Sequence, residues 1–306
     1  MIKEFAVDPE VMASWKNFQL LWDDFGVGRG RLISRYPKAW NKTVYELAQQ
    51  LNADKPVRAS SLCEKIRSAP HKFIPSRRDF DPAMTWLDNA EACSTARPFD
   101  AIIAQVNSRS NAAVVAVDDL DKEKPPFKVK TWGKISRTAS EMLRCARLLL
   151  ENSDEIILVD PYFDAGAARF QNPLLEFLAI RPAGRPWKRC EFHTYHREKD
   201  SATHLANRIY NCRRHLPECV PAGNTLRLHF WTRNAQGEEM HPRFLLTELG
   251  GIKFDFGLDE GDGVLDTTIA TLVDHDFVQT LRADYTSPSP TFQITPDCIV
   301  EIVGSG

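Results

Sequence analysis

Hydrophobic residues in the first part of the chain recur every three or four positions, as they do along one face of an α-helix. The first such series is Val11, Trp15, Phe18, Leu21 and Phe25. A second is Trp40, Val44, Leu47 and Leu51, and a short third contains Leu62 and Ile66. This spacing predicts helices over most of residues 1–70.

Two short apolar runs then replace the helical spacing. Residues 100–106 and 112–117 are predicted to be buried strands joined by a polar turn. The charged, proline-bearing segment 118–126 is typical of a linker. We therefore predict a mainly helical N-terminal domain over residues 1–128, serving in docking or nucleic-acid contact, and a second domain over residues 129–306.

Strands and helices alternate from Trp132 onward. An amphipathic helix between Ile135 and Leu150 precedes an apolar strand at 156–159, and further strands are predicted at 189–196, 225–231 and 298–303. Helices are predicted at 173–180 and after Ser201. The alternation predicts an α/β sandwich built on a mixed sheet.

Composition narrows the function classes. The formal net charge is −2, so any nucleic-acid surface must be a local patch. Seven scattered cysteines do not suggest a disulfide framework. The first residues lack an apolar signal core, and no run is apolar enough to span a bilayer. We expect a cytoplasmic protein with no membrane partner.

Two basic clusters are candidate polyanion contacts. The first, between Arg29 and Lys42, is interleaved with Tyr36 and Trp40. The second is the candidate substrate-binding set Lys188, Arg189, Arg213 and Arg214. Each cluster is also compatible with a solvated surface, because runs of charge are common on exposed helix faces.

An imidazole, a guanidinium and a carboxylate lie on one short segment, residues 241–248. Alternation along an extended strand puts His241 and Arg243 on the same face. Gly250 and Gly251 predict a hairpin turn into a returning strand. Such a segment could present His241 and Arg243 together to an anionic substrate.

This segment resembles the signature of the phospholipase D superfamily, His-x-Lys, four residues, Asp, then a glycine-rich return strand. His241, Arg243 and Glu248 take the three positions at the matching spacing, with Arg for Lys and Glu for Asp. The Ser and Asn that usually follow are missing from residues 256–260. The run Asp160-Pro161-Tyr162-Phe163 is similar to the end of the first core strand of such domains. The resemblance covers the C-terminal half.

The resemblance implies a phospholipase D-like fold and a metal-independent phosphodiesterase, with a nuclease as the first candidate. His241 would attack phosphorus and form a phosphohistidine intermediate. Arg243 would hold the non-bridging oxygens, and Glu248 would fix a neighbouring cation or the tautomer of the histidine. No metal and no other cofactor is implied. Small relatives suggest, by analogy, a role in defence against foreign DNA.

Relatives that carry the motif twice build one site from both copies, whereas this chain carries it once. The resemblance therefore implies a homodimer, or a dimer with a related protein, that shares one site. We expect its interface to include the strand after His241 and residues 257–263.

Two alternatives remain open at the level of sequence. The chain could be a non-catalytic binding subunit of a larger nucleic-acid-associated assembly, with the N-terminal domain as its docking module. A zinc site could use Cys212 and His215 with His193 or His196, although no Cys-x-x-Cys pair supports it. Four acidic residues follow the motif, at Asp255, Asp259, Glu260 and Asp262. They are compatible with a phosphate site only if their carboxylates point away from it or orient the histidine.

Overall fold

The computed structural model describes residues 1–181, 185–197, 201–234, 237–263 and 265–306. The chain forms two compact units, Met1–Thr131 and Trp132–Gly306. Each unit is described by itself below.

The first unit is built on a parallel sheet. Its elements are β1 (Lys3–Val7), α1 (Pro9–Ala13), α2 (Trp15–Leu21), β2 (Arg31–Arg35), α3 (Trp40–Leu51), α4 (Pro56–Ser68), β3 (Phe73–Pro75), α5 (Trp86–Ala96), β4 (Ala101–Ala104) and β5 (Val114–Ala116). The strand order is β3-β2-β1-β4-β5, and every neighbouring pair is parallel. The predicted strands near 100–106 and 112–117 correspond to β4 and β5.

The expectation that the N-terminal domain is mainly helical is wrong, because β1 and β2 lie inside the region that was predicted to be helical. Phe5, Ala6 and Val7 are all fully buried. A central strand covered on both faces shows no alternation of apolar and polar residues. The period of a short apolar run therefore does not distinguish such a strand from a segment of buried helix. The sequence pattern did not indicate β2 because the strand begins and ends with an arginine. Arg31 is nevertheless buried and donates from Nε to the Phe127 carbonyl at 2.8 Å.

Both faces of this sheet carry an apolar core. Phe5, Val7 and Ile33 belong to one core cluster, which also takes in buried residues of α1 to α4. Ala6 and Ile102 belong to a second cluster that includes residues of α5. Tyr36 and Trp40 are fully buried, one in each cluster, so the aromatic members of the first basic cluster are not available at a surface.

The second unit is a mixed sheet with helices. Its described elements are β6 (Trp132–Ser136), α6 (Ala139–Glu151), β7 (Glu155–Val159), α7 (Ala168–Ala179), β8 (Arg189–Tyr195), α8 (Ala202–His215), β9 (Thr225–Arg233), β10 (Phe244–Leu246), β11 (Gly251–Phe254), β12 (Thr267–Val273), α9 (His275–Asp284), β13 (Phe292–Gln293) and β14 (Ile299–Val303). The strand order is β13-β9-β8-β7-β10-β11-β12-β6, and β14 also pairs with β9. The prediction of a mixed α/β chain is confirmed.

Strand direction in this sheet determines where functional side chains can gather. β7, β8 and β9 are parallel, so their carboxyl ends lie along one edge. β10 runs antiparallel to β7, with Phe244 opposite Val159, and therefore begins at that edge. Residues that precede β10 thus come to the same edge as residues that follow β7.

β10 itself is enclosed. It pairs with β7 on one side and β11 on the other, and Phe244, Leu245 and Leu246 are all buried. Ile157 and Val159 pack in the same core as Phe244, together with residues of α9. The strand after His241 cannot form a dimer interface, so that part of the expected interface is wrong.

Among the described residues, no helix is both long enough and apolar enough to cross a lipid bilayer.

Candidate functional site

An open cleft lies at the carboxyl edge of β7 and β8 and has a volume of about 490 Å³. We call it the strand-end cleft. It is lined by Pro161, Tyr162, Phe163, Asp164, Tyr195, Arg197, His204, Asn207, Arg208, Asn211, Glu239 and Met240. The crevice beyond the carboxyl ends of parallel strands is where ligands bind in many α/β sheets.

One wall of the strand-end cleft is a polar stripe on α8. His204, Asn207, Arg208 and Asn211 lie at positions i, i+3, i+4 and i+7, so they share one helix face. Ser201 begins the helix by accepting a hydrogen bond from the His204 N–H at 3.1 Å. The helix therefore presents an imidazole, a guanidinium and two carboxamides to the same concave surface.

Arg208 fixes the shape of this cleft. Its guanidinium donates to the Tyr195 carbonyl at 2.5 Å, and to the Phe163 carbonyl and Thr194 Oγ1 at 2.9 Å each. These contacts connect α8 to the end of β8 and to the segment that follows β7. Because charge-assisted hydrogen bonds are the stronger ones, the walls are held before any ligand arrives.

Tyr162 lies where the cleft meets the motif segment. Its side chain is about half exposed, at 48%. The Arg243 guanidinium carbon is 5.0 Å from the centre of its ring, and that of Arg197 is 5.9 Å away. Both distances fall within the range of cation–π attraction. Two cations thus flank one exposed aromatic ring.

Asp160 is the buried group that positions this region. One of its oxygens accepts from the Tyr162 N–H at 2.9 Å, and the other accepts from the Leu258 N–H at 2.8 Å. Burial raises the pKa of Asp160 above its usual value, although both hydrogen bonds oppose this change. The carboxylate joins the loop after β7 to the loop after β11.

His241 and Arg243 line a second hollow of about 760 Å³, which we call the motif depression. His241 is exposed, and Arg243 is half-buried. Arg243 donates to the Asp255 carbonyl at 3.3 Å, while its Nε makes no hydrogen bond to any described residue. Lys253, in the same hollow, pairs with the Asp255 carboxylate at 3.2 Å. The structure therefore brings His241 and Arg243 to one surface.

Glu248 does not join them. Its carboxylate accepts from the N–H groups of Asp154 and Glu155, at 2.6 and 3.2 Å. Those residues stand at the start of β7, the end opposite to Asp160. A three-residue strand separates Glu248 from Arg243, so its role of fixing the neighbouring cation or histidine is not supported. It satisfies the backbone at the start of a buried strand.

The predicted substrate-binding set is dispersed. Lys188 pairs with Asp154 at 2.7 Å and lowers the pKa of that carboxyl to about 2. Arg189 pairs with Glu191 at 2.7 Å at the amino end of β8, away from the strand-end cleft. Arg213 and Arg214 are exposed in the last turn of α8. None of the four lines the cleft or the motif depression.

Two carboxylates of the acidic loop after β11, those of Asp259 and Glu260, have partners within the fold. Asp259 forms an ion pair with Arg137 and lies 3.5 Å from Arg169. Glu260 accepts from the Ala139 N–H at 3.0 Å and from Asn172 at 2.6 Å. These two carboxylates organise the loop.

Gly257 makes this loop geometry possible. Its φ of +136° is rarely adopted by residues with a side chain. An added Cβ would also meet the carboxylates of Asp259 and Asp160. The glycine lets two buried carboxylates approach the backbone of this loop.

Among the described residues, ligand atoms close enough to share a metal ion occur at Glu191, His193 and His229. Trp231 donates from Nε1 to His193 Nδ1 at 2.8 Å. Indole N–H is a donor only, so neutral His193 carries its proton on Nε2, which faces Glu191 at 3.2 Å. That proton occupies the lone pair a metal would need, and Arg189 pairs with the same carboxylate oxygen. Trp231, His193, Glu191 and Arg189 therefore form a chain of polar contacts, and His229 makes no hydrogen bond to it among the described residues.

The zinc alternative based on Cys212 gains no support. Cys212 is buried, and burial raises the pKa of its thiol to about 12. A neutral buried thiol behaves as a small apolar side chain.

Sequence reasoning missed most residues of the strand-end cleft. Tyr162 stood in the run that supported the resemblance, but no role was assigned to it. Arg197 follows the end of a predicted strand, which is where the rule for parallel strands places ligands. The polar stripe of α8 could have been found by testing the helical period for polar residues as well as for apolar ones.

Comparisons with known proteins add little. No protein-family model matches the chain, and no curated protein matches it. Among solved structures, the chain is similar to TrmBL2, an archaeal chromatin protein described with a novel mode of DNA binding, at a TM-score of 0.24 and 12% sequence identity. The match covers 53% of each chain, so this chain spans about half the length of that structure. A TM-score of 0.24 does not establish a common fold.

The position of Glu248 yields a stability prediction. Glu248→Ala removes the acceptor for two backbone N–H groups and should lower the free energy of unfolding by about 1–3 kcal/mol. Denaturant unfolding of the full chain measures this change. Glu218→Ala, at an exposed glutamate of the same unit, is the matched control and should be neutral. Equal midpoints for the two variants would show that the contact at β7 is unimportant.

The buried histidine pair yields a pH prediction. Burial lowers the pKa of His229 to about 4 and also lowers that of His193. Between about pH 4 and 6.5 the unfolded chain therefore binds more protons than the folded chain, so these groups make the free energy of unfolding fall as pH falls through that window. His229→Phe should remove the part of this fall that His229 causes. That part is on the order of 2–3 kcal/mol of the free energy of unfolding between the two ends of the window.

The measurement compares urea unfolding of wild type and His229→Phe across that pH range. At neutral pH the variant should be at least as stable, because neither ring nitrogen of His229 has a hydrogen-bond partner among the described residues. Parallel pH profiles would contradict the assignment of this slope to His229.

Proposed function

We propose that the second unit is a metal-independent phosphodiesterase that acts on nucleic acid, with His241 as nucleophile and Arg243 as phosphate clamp. The observation that carries the proposal is the position of Arg243. Its guanidinium lies 5.0 Å from the ring centre of Tyr162, which lines the strand-end cleft. Arg243 thus adjoins an open cleft at the carboxyl edge of β7, and His241 lines the same hollow as Arg243.

The proposed chemistry has two steps. A ring nitrogen of His241 attacks phosphorus, the bond from phosphorus to the leaving oxygen breaks, and an acid gives that oxygen a proton. Water then attacks phosphorus, its proton returns to the acid, and the phosphorus–nitrogen bond breaks to release His241. Arg243 offsets the charge that develops on the non-bridging oxygens, and its fork can hold two of them.

The same chain offers an imidazole for the acid. His204 lies on the strand-end cleft, and its ring centre is 6.2 Å from that of His196. Met240, which also lines the cleft, directly precedes His241. In this proposal His204 would serve as the acid, and the second histidine would come from the same chain. The homodimer, or dimer with a related protein, stays a prediction whose remaining candidate surface is the loop at 257–263.

One observation favours a second candidate, a non-catalytic nucleic-acid-binding subunit. Only two of the three motif residues reach the edge, since Glu248 is bound to the start of β7. The hollow around them also contains apolar side chains, including Phe277. A protein with this function would bind the same substrates without cleaving them. Defence against foreign DNA fits either candidate by analogy alone.

The test separates cleavage from binding. Purified wild type is incubated with labelled single-stranded DNA, duplex DNA and RNA in excess chelator. We expect cleavage to persist, to be lost in His241→Ala, and to fall in Arg243→Ala by about 2–4 kcal/mol of transition-state stabilisation. Arg243→Lys restores the residue of the motif and should retain activity.

Lys253→Ala is the matched control, because Lys253 lines the same hollow but pairs with Asp255. It should cleave at nearly the wild-type rate. Activity that disappears with chelator and returns with magnesium would overturn the proposed chemistry. Binding without cleavage under every condition would favour the second candidate.

A further inference from the structure

The strand-end cleft contains polar groups that the proposed chemistry does not use. Asn207 and Asn211 stand one turn apart on α8 and both line the cleft. Among the described residues, neither carboxamide makes a hydrogen bond. A carboxamide offers both donors and an acceptor, so two such groups aimed at one cavity suit a ligand that has donors and acceptors on one edge.

The aromatic ring of Tyr162 stands at the mouth of the same cleft. It is about half exposed, and its backbone is held by Asp160. Arg197 and Arg243 lie within 5.9 Å and 5.0 Å of the ring centre. A fixed aromatic ring with adjacent guanidinium planes is a surface on which flat ligands stack.

The charge of the cleft argues against a bare anion in its interior. Asp164 and Glu239 line it together with Arg197 and Arg208. Arg208 is already bound to two carbonyl groups and a hydroxyl. A phosphate inside the cleft would be repelled by these two carboxylates. A neutral polar ring would not be repelled. The phosphate is better placed at Arg243, on the rim.

We propose that the strand-end cleft is a nucleobase subsite that accepts one unpaired base, stacked at Tyr162 and hydrogen-bonded by Asn207 and Asn211. This inference rests on the proposed action on nucleic acid. A volume of about 490 Å³ is within the range of pockets that enclose small ligands and leaves room for a base. In a duplex the base is stacked and its pairing edge is occupied, so the subsite selects single-stranded substrate.

The experiment measures binding by fluorescence anisotropy with full-length protein carrying His241→Gln, so that the probes are not cleaved. The probes are a short single-stranded oligonucleotide, the same strand with abasic sites at every position, and the corresponding duplex, each made with DNA. Intact and abasic single strands carry equal charge, so their difference reports the bases. We expect the intact strand to bind about 10-fold or more tightly than the abasic strand.

Variants locate the subsite. Tyr162→Ala should remove the difference between intact and abasic strands, while leaving abasic binding unchanged. Asn207→Ala combined with Asn211→Ala should reduce the discrimination among homopolymers of the four bases. Tyr210→Ala is the control, because Tyr210 is an exposed tyrosine of α8 that does not line the cleft.

The outcomes distinguish a failure of the base subsite from a failure of the proposed action on nucleic acid. Equal binding of intact and abasic strands would overturn the base subsite and leave phosphodiester recognition in place. A base-dependent difference that survives in both cleft variants would place base recognition elsewhere and overturn the assignment. Absence of binding to all three probes would overturn the action on DNA, and the subsite with it.

Discussion

The antiparallel pairing of β10 with β7 determines which motif residues can meet. Phe244 is opposite Val159 and Leu246 is opposite Ile157, so the two strands run past each other within the buried sheet. His241 and Arg243 come before β10 and reach the edge where β7 ends. Glu248 comes after β10 and reaches the edge where β7 begins. The spacing of the motif thus separates the Glu248 carboxylate from His241 and Arg243 by the length of a strand.

Buried carboxylates then fix the loops at the functional edge. Asp160 holds the backbone at Tyr162 and Leu258 together, and Asp259 is held by Arg137. Such groups cost free energy unless every partner is in place, because burial disfavours an uncompensated charge. Their full pairing means that the loops around Tyr162 and Arg243 have little freedom. Asp160 and Asp259 therefore serve the scaffold at this edge, whereas Asp255 lines the motif depression itself.

Local patterns predicted the amphipathic helices and two of the buried strands, β4 and β7, but missed β1 and β2. The hairpin at Gly250 and Gly251 follows from turn chemistry and is present between β10 and β11. β1 is missed because Phe5, Ala6 and Val7 are all buried and show no alternation. For the site, the motif identified His241 and Arg243, but the strand-end cleft depends on which strands are neighbours. The order of β7, β8 and β9 is a long-range property that local spacing does not encode, so Tyr162 and Arg197 could not be grouped beforehand with the polar stripe of α8.

The proposed chemistry requires that His241 becomes covalently bonded to phosphorus at the edge where β7 ends. The most direct measurement is peptide mass spectrometry after rapid alkaline quenching of wild-type protein mixed with excess oligonucleotide. The account predicts a phosphorus adduct on the peptide that contains His241, absent in His241→Ala and still present in Glu248→Ala. Cleavage with no adduct at any quench time, or an adduct on another residue, would contradict it.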